Sequence, residues 1–141
     1  MKAAKYTFII MFFLIGWSNA SAQFVTDVKK ATPTVKNERA KIFYQILSRT
    51  KDPQIIDIRT PREYAAGHLK GAILVNYYDR NFADNLEKAG LDKFRPVFIY
   101  CRSGHRSSNA IAIFQKLGFR HIVNMVYGIN EWQHLQLPIE K

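Results

Sequence analysis

Pro96-Val97-Phe98-Ile99-Tyr100-Cys101-Arg102-Ser103-Gly104-His105-Arg106-Ser107 is the stretch whose reading decides the fold. Four consecutive apolar residues, 97–100, predict a strand buried on both faces, as in the middle of a parallel sheet. From residue 107 the period changes. Ile111, Phe114 and Leu117 recur at helical spacing, and Gly118 follows as the residue that ends the helix. A buried strand, a short polar loop and a helix in succession form half of a βαβ unit. In such folds the chemistry gathers at the carboxyl ends of the strands, and Cys101 stands at that end of this one.

Working outward, the same alternation recurs. Residues 54–58, QIIDI, predict a second buried strand. Thr60-Pro61-Arg62-Glu63 then reads as a helix start, with Thr60 as cap, Pro61 at the first helical position and Glu63 at capping-box spacing. Short strands are expected at 72–75 and 121–125, and helices at 82–89 and 129–135. Toward the N-terminus, Ile42, Phe43, Ile46 and Leu47 share one face of a helix expected over 37–48. Residues 31–34 read as a turn, and a first strand is expected around 24–28. No internal repeat or low-complexity tract is present. The expected fold class is α/β, with a mainly parallel central sheet and helices on both faces.

The chain has 141 residues, room for one domain, and its 48% hydrophobic content is enough for a buried core. Lys2 and Lys5, an apolar run over 6–15, and Ala20-Ser21-Ala22 together read as a secretory signal, most simply cut before Gln23. This divides the chain into a leader, 1–22, and a domain, 23–141. The apolar run is too short to cross a bilayer comfortably, so no stable membrane anchor is expected after cleavage; an uncleaved N-terminal anchor is the alternative reading. Export across a bacterial inner membrane to the periplasm is the expected context. Of the formal charge of +10, the leader carries two positive charges, leaving a basic surface suited to anionic ligands. With no long Lys/Arg run and no zinc-finger or basic-zipper spacing, nucleic acid is not implied. His68, His121 and His134 are dispersed and show no metal-ligand spacing.

The single cysteine, Cys101, rules out an internal disulfide. An unpaired thiol in an oxidising compartment is a liability unless it has a task. Its loop suggests one. Between a strand end and a helix start, backbone N–H groups can turn inward as an anion-binding nest, and the positive end of the helix dipole adds to it. Arg102, Arg106 and His105 bring charge, and Gly104 lets the backbone curl. All of these favour a negatively charged sulfur.

Residues 101–107 resemble the active-site loop of the rhodaneses, C-R-S-G-x-R-S. Residues 57–69, DIRTPREYAAGHL, are similar to that family's D-x-R-x-x-x-E-[YF]-x-x-G-H-[IL] segment. Gly71-Ala72, Gly118-Phe119, Trp132 and Pro138 also match, so the likeness covers nearly the whole exported part. Two departures stand out: Tyr127-Gly128, where the family often has two glycines, and Gln136, where it often has glycine before the final Leu-Pro. Both are expected to lie away from the thiol.

The resemblance implies a three-layer α/β sandwich and a sulfurtransferase. Cys101 would attack the sulfane sulfur of a donor such as thiosulfate, hold it as a persulfide, and yield it to a nucleophilic acceptor. Arg102, Ser103, Gly104, His105 and Arg106 would bind the donor. No metal or organic cofactor is implied. Acceptors consistent with this chemistry are cyanide, a small thiol, a thioredoxin-like protein or a sulfur-carrier protein. Asp57, Arg59, Glu63 and His68 could form part of the pocket; the structural reading is favoured, in which Asp57 and Arg59 fix the strand end, Glu63 pairs with Arg59 at helical distance and His68 satisfies backbone groups in its turn. Trp132 is expected in the core.

Two other readings compete. Cysteine phosphatases of the same fold carry C-x5-R, whereas four residues separate Cys101 from Arg106, a tighter loop suited to one added sulfur atom. A non-catalytic binding module of this fold typically lacks the cysteine present here. A dithiol redox mechanism would need a second cysteine. The leader reading gives the first prediction: mass spectrometry of the native protein should find a mature chain that begins at or near Gln23, and a chain beginning at Met1 in a cytosolic fraction would refute export.

Overall fold

The computed structural model describes residues 32–141. The leader and the strand expected around 24–28 lie outside the described residues. In chain order the elements are β1 (Thr34–Glu38), α1 (Ala40–Arg49), β2 (Gln54–Asp57), α2 (Pro61–Ala65), β3 (Ile73–Leu74), α3 (Phe82–Lys88), β4 (Pro96–Tyr100), α4 (His105–Lys116), β5 (His121–Met125) and α5 (Gly128–His134). The strands form one parallel sheet in the order β1-β5-β4-β2-β3. β4 lies at its centre, with Ile99 opposite Ile56 of β2 and Asn124 of β5.

Side chains alternate along a strand, so β4 feeds two cores. Val97, Ile99 and Cys101 face α3 and α4 and pack with Phe82, Leu86, Ala110 and Phe114. Phe98 and Tyr100 face the other way, toward Phe43 of α1 and Ile129 and Trp132 of α5. Edge-to-face aromatic pairs knit each layer, Phe43 with Phe98 at 5.4 Å and Phe114 with Phe119 at 5.1 Å between ring centroids. The capping box at Thr60 forms as its spacing predicts. The Thr60 hydroxyl accepts from the Glu63 N–H, and the Glu63 carboxylate accepts from the Thr60 N–H.

The N-terminal reading needs correction. Residues 34–38 are neither turn nor helix but an edge strand, and α1 starts at Ala40, not at residue 37. The sequence TVKNE lacks an apolar run because β1 has a single neighbour, β5, and is largely exposed. α1 also lacks a cap from its own chain start. Glu131 of α5 supplies it, accepting from the Ala40 N–H at 2.9 Å and from Arg39 Nε at 2.7 Å.

α4 and α5 end alike. After α4, the Gly118 N–H reaches the Gln115 carbonyl and the Phe119 N–H reaches that of Phe114. After α5, the Gln136 N–H reaches Gln133 and the Leu137 N–H reaches Trp132. Both are Schellman closures, which need a left-handed residue at the first position past the cap. Glycine fills that position after α4, while after α5 Gln136 adopts it at φ 53°. The departure from the family pattern at residue 136 is therefore a non-glycine residue carrying left-handed strain. Gln136→Gly should raise the unfolding free energy by about 0.5–1 kcal/mol, the relieved strain less the extra chain entropy. Urea titration of both proteins measures this, and a destabilised variant would contradict it.

Candidate active site

The turn after β4 is built by sending its carbonyls and amides in opposite directions. The Cys101 carbonyl accepts from the Ile129 N–H at 2.9 Å, and the Arg102 carbonyl accepts from the Asn130 N–H at 3.1 Å. Both donors belong to the first turn of α5. On the other side, the Gly104 N–H donates to Cys101 Sγ at 3.1 Å. Two glycines make this possible. Gly104 takes φ 90° and presses against Val126, where a Cβ would overlap the carbonyl. Gly128 lies so close to the backbone of Cys101 and Arg102 that a Cβ would collide with it. The Tyr127-Gly128 departure is thus not remote from the thiol: the glycine that the chain keeps buttresses the active loop.

α4 begins at His105, two residues earlier than its sequence period suggests, because the left-handed Gly104 completes the turn. Its N-terminus faces the loop, where the helix dipole favours negative charge. Cys101 itself is buried, with 1% exposure. The sulfur accepts from the Gly104 N–H, with the Cys101 and Arg102 carbonyls drawn away toward α5.

The two loop arginines are not equivalent. Arg106 is largely buried and bidentate to Glu63, Nη1 to Oε2 at 2.9 Å and Nη2 to Oε1 at 2.7 Å. The Tyr78 ring lies 5.3 Å from its guanidinium carbon. Arg102 is exposed, as are Ser103 and His105. The His105 ring approaches the Asn109 amide at 3.4 Å. The sequence offers both as donor ligands, with Arg102 toward the mouth of the site and Arg106, where the loop meets the helix, also bracing the nest. The structure commits Arg106 to bracing α2 against α4 and leaves Arg102 as the loop cation without an ion-pair partner among the described residues.

Glu63 also differs from expectation. It does not pair with Arg59. Arg59 turns instead to Asp57, with Nε and Nη2 both bonded to the carboxylate, and donates to the Gly67 carbonyl at 2.6 Å. This fixes the end of β2, as expected of the Asp57–Arg59 pair. His68 Nδ1 meets the Tyr64 carbonyl at 3.1 Å with the two rings stacked, the backbone-satisfying role foreseen for it. Trp132 is buried, its Nε1–H donating to the Pro138 carbonyl. Tyr78, Gly128 and the α5 amides escaped sequence reading, since each acts through contacts distant along the chain.

The bonds from Arg106, aided by the Thr60 N–H and hydroxyl and opposed by burial, hold the Glu63 carboxyl at about 2, below its ordinary 4.5. A carboxylate whose folded value is depressed stabilises the fold above its unfolded value and loses that contribution as pH falls through the folded one. Glu63→Gln should therefore cost about 2 kcal/mol near neutral pH, and the difference should vanish as pH falls from 4.5 toward 2. Unfolding titrations at several pH values test this, and a gap independent of pH would mean that shape, not charge, is what Glu63 contributes.

Comparisons with known proteins bear on the family and the fold. The family model for the rhodanese-like domain matches residues 40–135. A protein named sulfurtransferase from Allochromatium vinosum is 36% identical over 95 residues, covering 67% of this chain and 85% of its own. The thiosulfate sulfurtransferase GlpE of Pseudomonas aeruginosa is 31% identical over 85 residues, covering 60% of this chain and 74% of its own. Among solved structures, a rhodanese-like domain protein from Staphylococcus aureus superposes with a TM-score of 0.60 at 28% identity, over 69% of this chain and 90% of that one. The homodimeric polysulfide-sulfur transferase of Wolinella succinogenes gives 0.63 at 28% identity, over 85% and 88%. With its parallel sheet, its cysteine at the end of the central strand and these relatives, the chain belongs to the rhodanese-like domain family, whose kin here are sulfurtransferases.

Proposed function

We propose that this chain is an exported sulfurtransferase that takes sulfane sulfur from a small anionic donor and carries it as a persulfide on Cys101. The observation that carries this reading is the Gly104 N–H aimed at Sγ within a turn whose carbonyls point elsewhere. Such preorganised donors stabilise negative charge on sulfur without reorganising during the reaction.

With thiosulfate, the Cys101 thiolate attacks the outer sulfur. A new S–S bond forms, the sulfur–sulfur bond of the donor breaks, and its electron pair leaves on sulfite. The charge moves outward by one atom, to the outer sulfur of the persulfide. Polysulfide, named for the Wolinella succinogenes relative, would deliver sulfur by the same displacement. An acceptor nucleophile then takes the outer sulfur and returns Cys101 to its thiolate. Arg102, exposed at the loop, suits the donor anion, with Ser103 and His105 beside it and the Gly104 N–H on the sulfur. Arg106, at the start of α4, ties that helix to α2 through Glu63. Neither half-reaction needs a metal or organic cofactor. The N-terminal 22 residues would direct the domain to the periplasm and be removed there.

Thiosulfate without acceptor should add one sulfur atom to the protein, readable by intact mass, and cyanide should then release it as thiocyanate. Cys101→Ser should neither gain the mass nor turn over, and para-nitrophenyl phosphate should remain unhydrolysed. Arg102→Ala should raise KM for thiosulfate about five-fold, the equivalent of about 1 kcal/mol, with kcat little changed. Sulfur transfer by the serine variant, or phosphatase activity in place of it, would overturn the reading.

A further inference from the structure

A cleft of about 280 Å³ opens on the side of the molecule where β3 ends the sheet. One wall is the outer edge of β3, whose only neighbour is β2. The other is the face of α3 that carries Asn85, Lys88 and Ala89, positions at helical spacing and so on one side. Pro61, the first residue of α2, and Asp79 complete the lining. The cleft is separate from the cysteine turn, since no residue of 101–107 lines it.

Ile73 is an exposed apolar residue here, and with Pro61 and Ala89 it gives the cleft a hydrocarbon surface. Asp79 and Lys88 supply opposite charges. Neither forms an ion pair, with the other or with any other described residue. Asp79 Oδ1 accepts from Asn76 Nδ2 at 2.8 Å, and its second oxygen has no partner among the described residues. The Tyr78 N–H donates to Asn76 Oδ1 at 3.2 Å and the Asp79 N–H to the Asn76 carbonyl at 3.1 Å, so this turn holds the carboxylate in place before anything binds. The Asn85 side-chain amide is half-buried and also lacks a partner among the described residues. A cation and an anion that share a cleft without meeting, beside an apolar surface, suit a ligand that carries both charges and a hydrocarbon part. The volume is the share of about nine water molecules, the bulk of a small zwitterion.

We propose that this cleft binds a free aliphatic α-amino acid, of which leucine has the right bulk. The carboxylate pairs with Lys88 and accepts from the Asn85 amide. The ammonium pairs with Asp79, and the side chain lies on Ile73 and Ala89. A residue inside a peptide lacks both charges, so the recognition is of the free molecule. The turn that presents Asp79 also carries Tyr78, whose ring lies 5.3 Å from the Arg106 guanidinium carbon. A bound amino acid therefore touches the turn that covers the Glu63–Arg106 pair without reaching the sulfur. The inference does not depend on what Cys101 carries.

The test is a nuclear magnetic resonance titration that compares leucine with its truncated analogues. Leucine should saturate the protein with a Kd of about 1 mM, in keeping with an open site. It should shift the amide resonances of residues 73–76 and 85–89 and leave those of 103–105 in place. Isocaproate lacks the ammonium, isoamylamine lacks the carboxylate and glycine lacks the side chain, and each should bind about five-fold more weakly than leucine. Asp79→Asn should bring leucine to the affinity of isocaproate and leave isocaproate itself unaffected. Lys88→Met should bring it to that of isoamylamine, with isoamylamine unaffected. Cys101→Ser should bind leucine as the unaltered protein does, which separates this result from the fate of the sulfur-transfer reading. Failure to saturate in the millimolar range, saturation centred on other residues, or leucine binding that either charge substitution leaves intact would overturn the proposal.

Discussion

The site depends on where the peptide groups of the turn after β4 point. A chain leaving a buried strand must satisfy its carbonyls without water. Here the first amides of α5 do so, at 2.9 and 3.1 Å from the Cys101 and Arg102 oxygens. With those carbonyls turned away, the Gly104 N–H is the backbone group that meets Sγ. An environment suited to anionic sulfur thus follows from backbone bookkeeping, before any charged side chain is counted. Gly128 is the hinge of this arrangement, because only a residue without a Cβ lets α5 come close enough.

The charged side chains then divide the labour. Arg59 and Arg106, the two buried arginines, are each neutralised by a carboxylate two or forty-three residues away. Burial of an unpaired cation would be costly, and pairing with several hydrogen bonds makes it tolerable. The Glu63–Arg106 pair also connects the capping box of α2 to the first turn of α4, so the helix that follows the cysteine is tied to the strand end beside it. Arg102 stays out of these networks. Its charge is available because the structural duties of the loop have been met by its neighbour.

Much of this was legible in the sequence. β4, β5, the α2 capping box and the Gly118 terminus all rest on local patterns, and local patterns survived. β1 was misread because an exposed edge strand does not have to be apolar, and TVKNE carries no periodic signal of its own. The Cys101 loop was recognisable as an anion nest, since strand, glycine and helix start are adjacent in the chain. The choice of Arg106 over Arg59 as the partner of Glu63 was not, because both spacings are chemically reasonable and only the packing of α2 against α4 decides between them. Gly128 lies 27 residues beyond Cys101, and nothing in its immediate sequence announces that it touches the Cys101–Arg102 backbone.

The enclosure of Cys101 has one more consequence. The molecule contains no second sulfur nucleophile that could trap an oxidised or sulfur-laden Cys101 within the same chain. Two copies could join through their cysteines only by opening both turns, because each sulfur is almost wholly covered. Resistance to covalent self-association is therefore steric and does not draw on a reductant. If Cys101 carries sulfur as proposed, the loaded chain would be a single-slot reservoir that a second copy cannot empty without opening the turn.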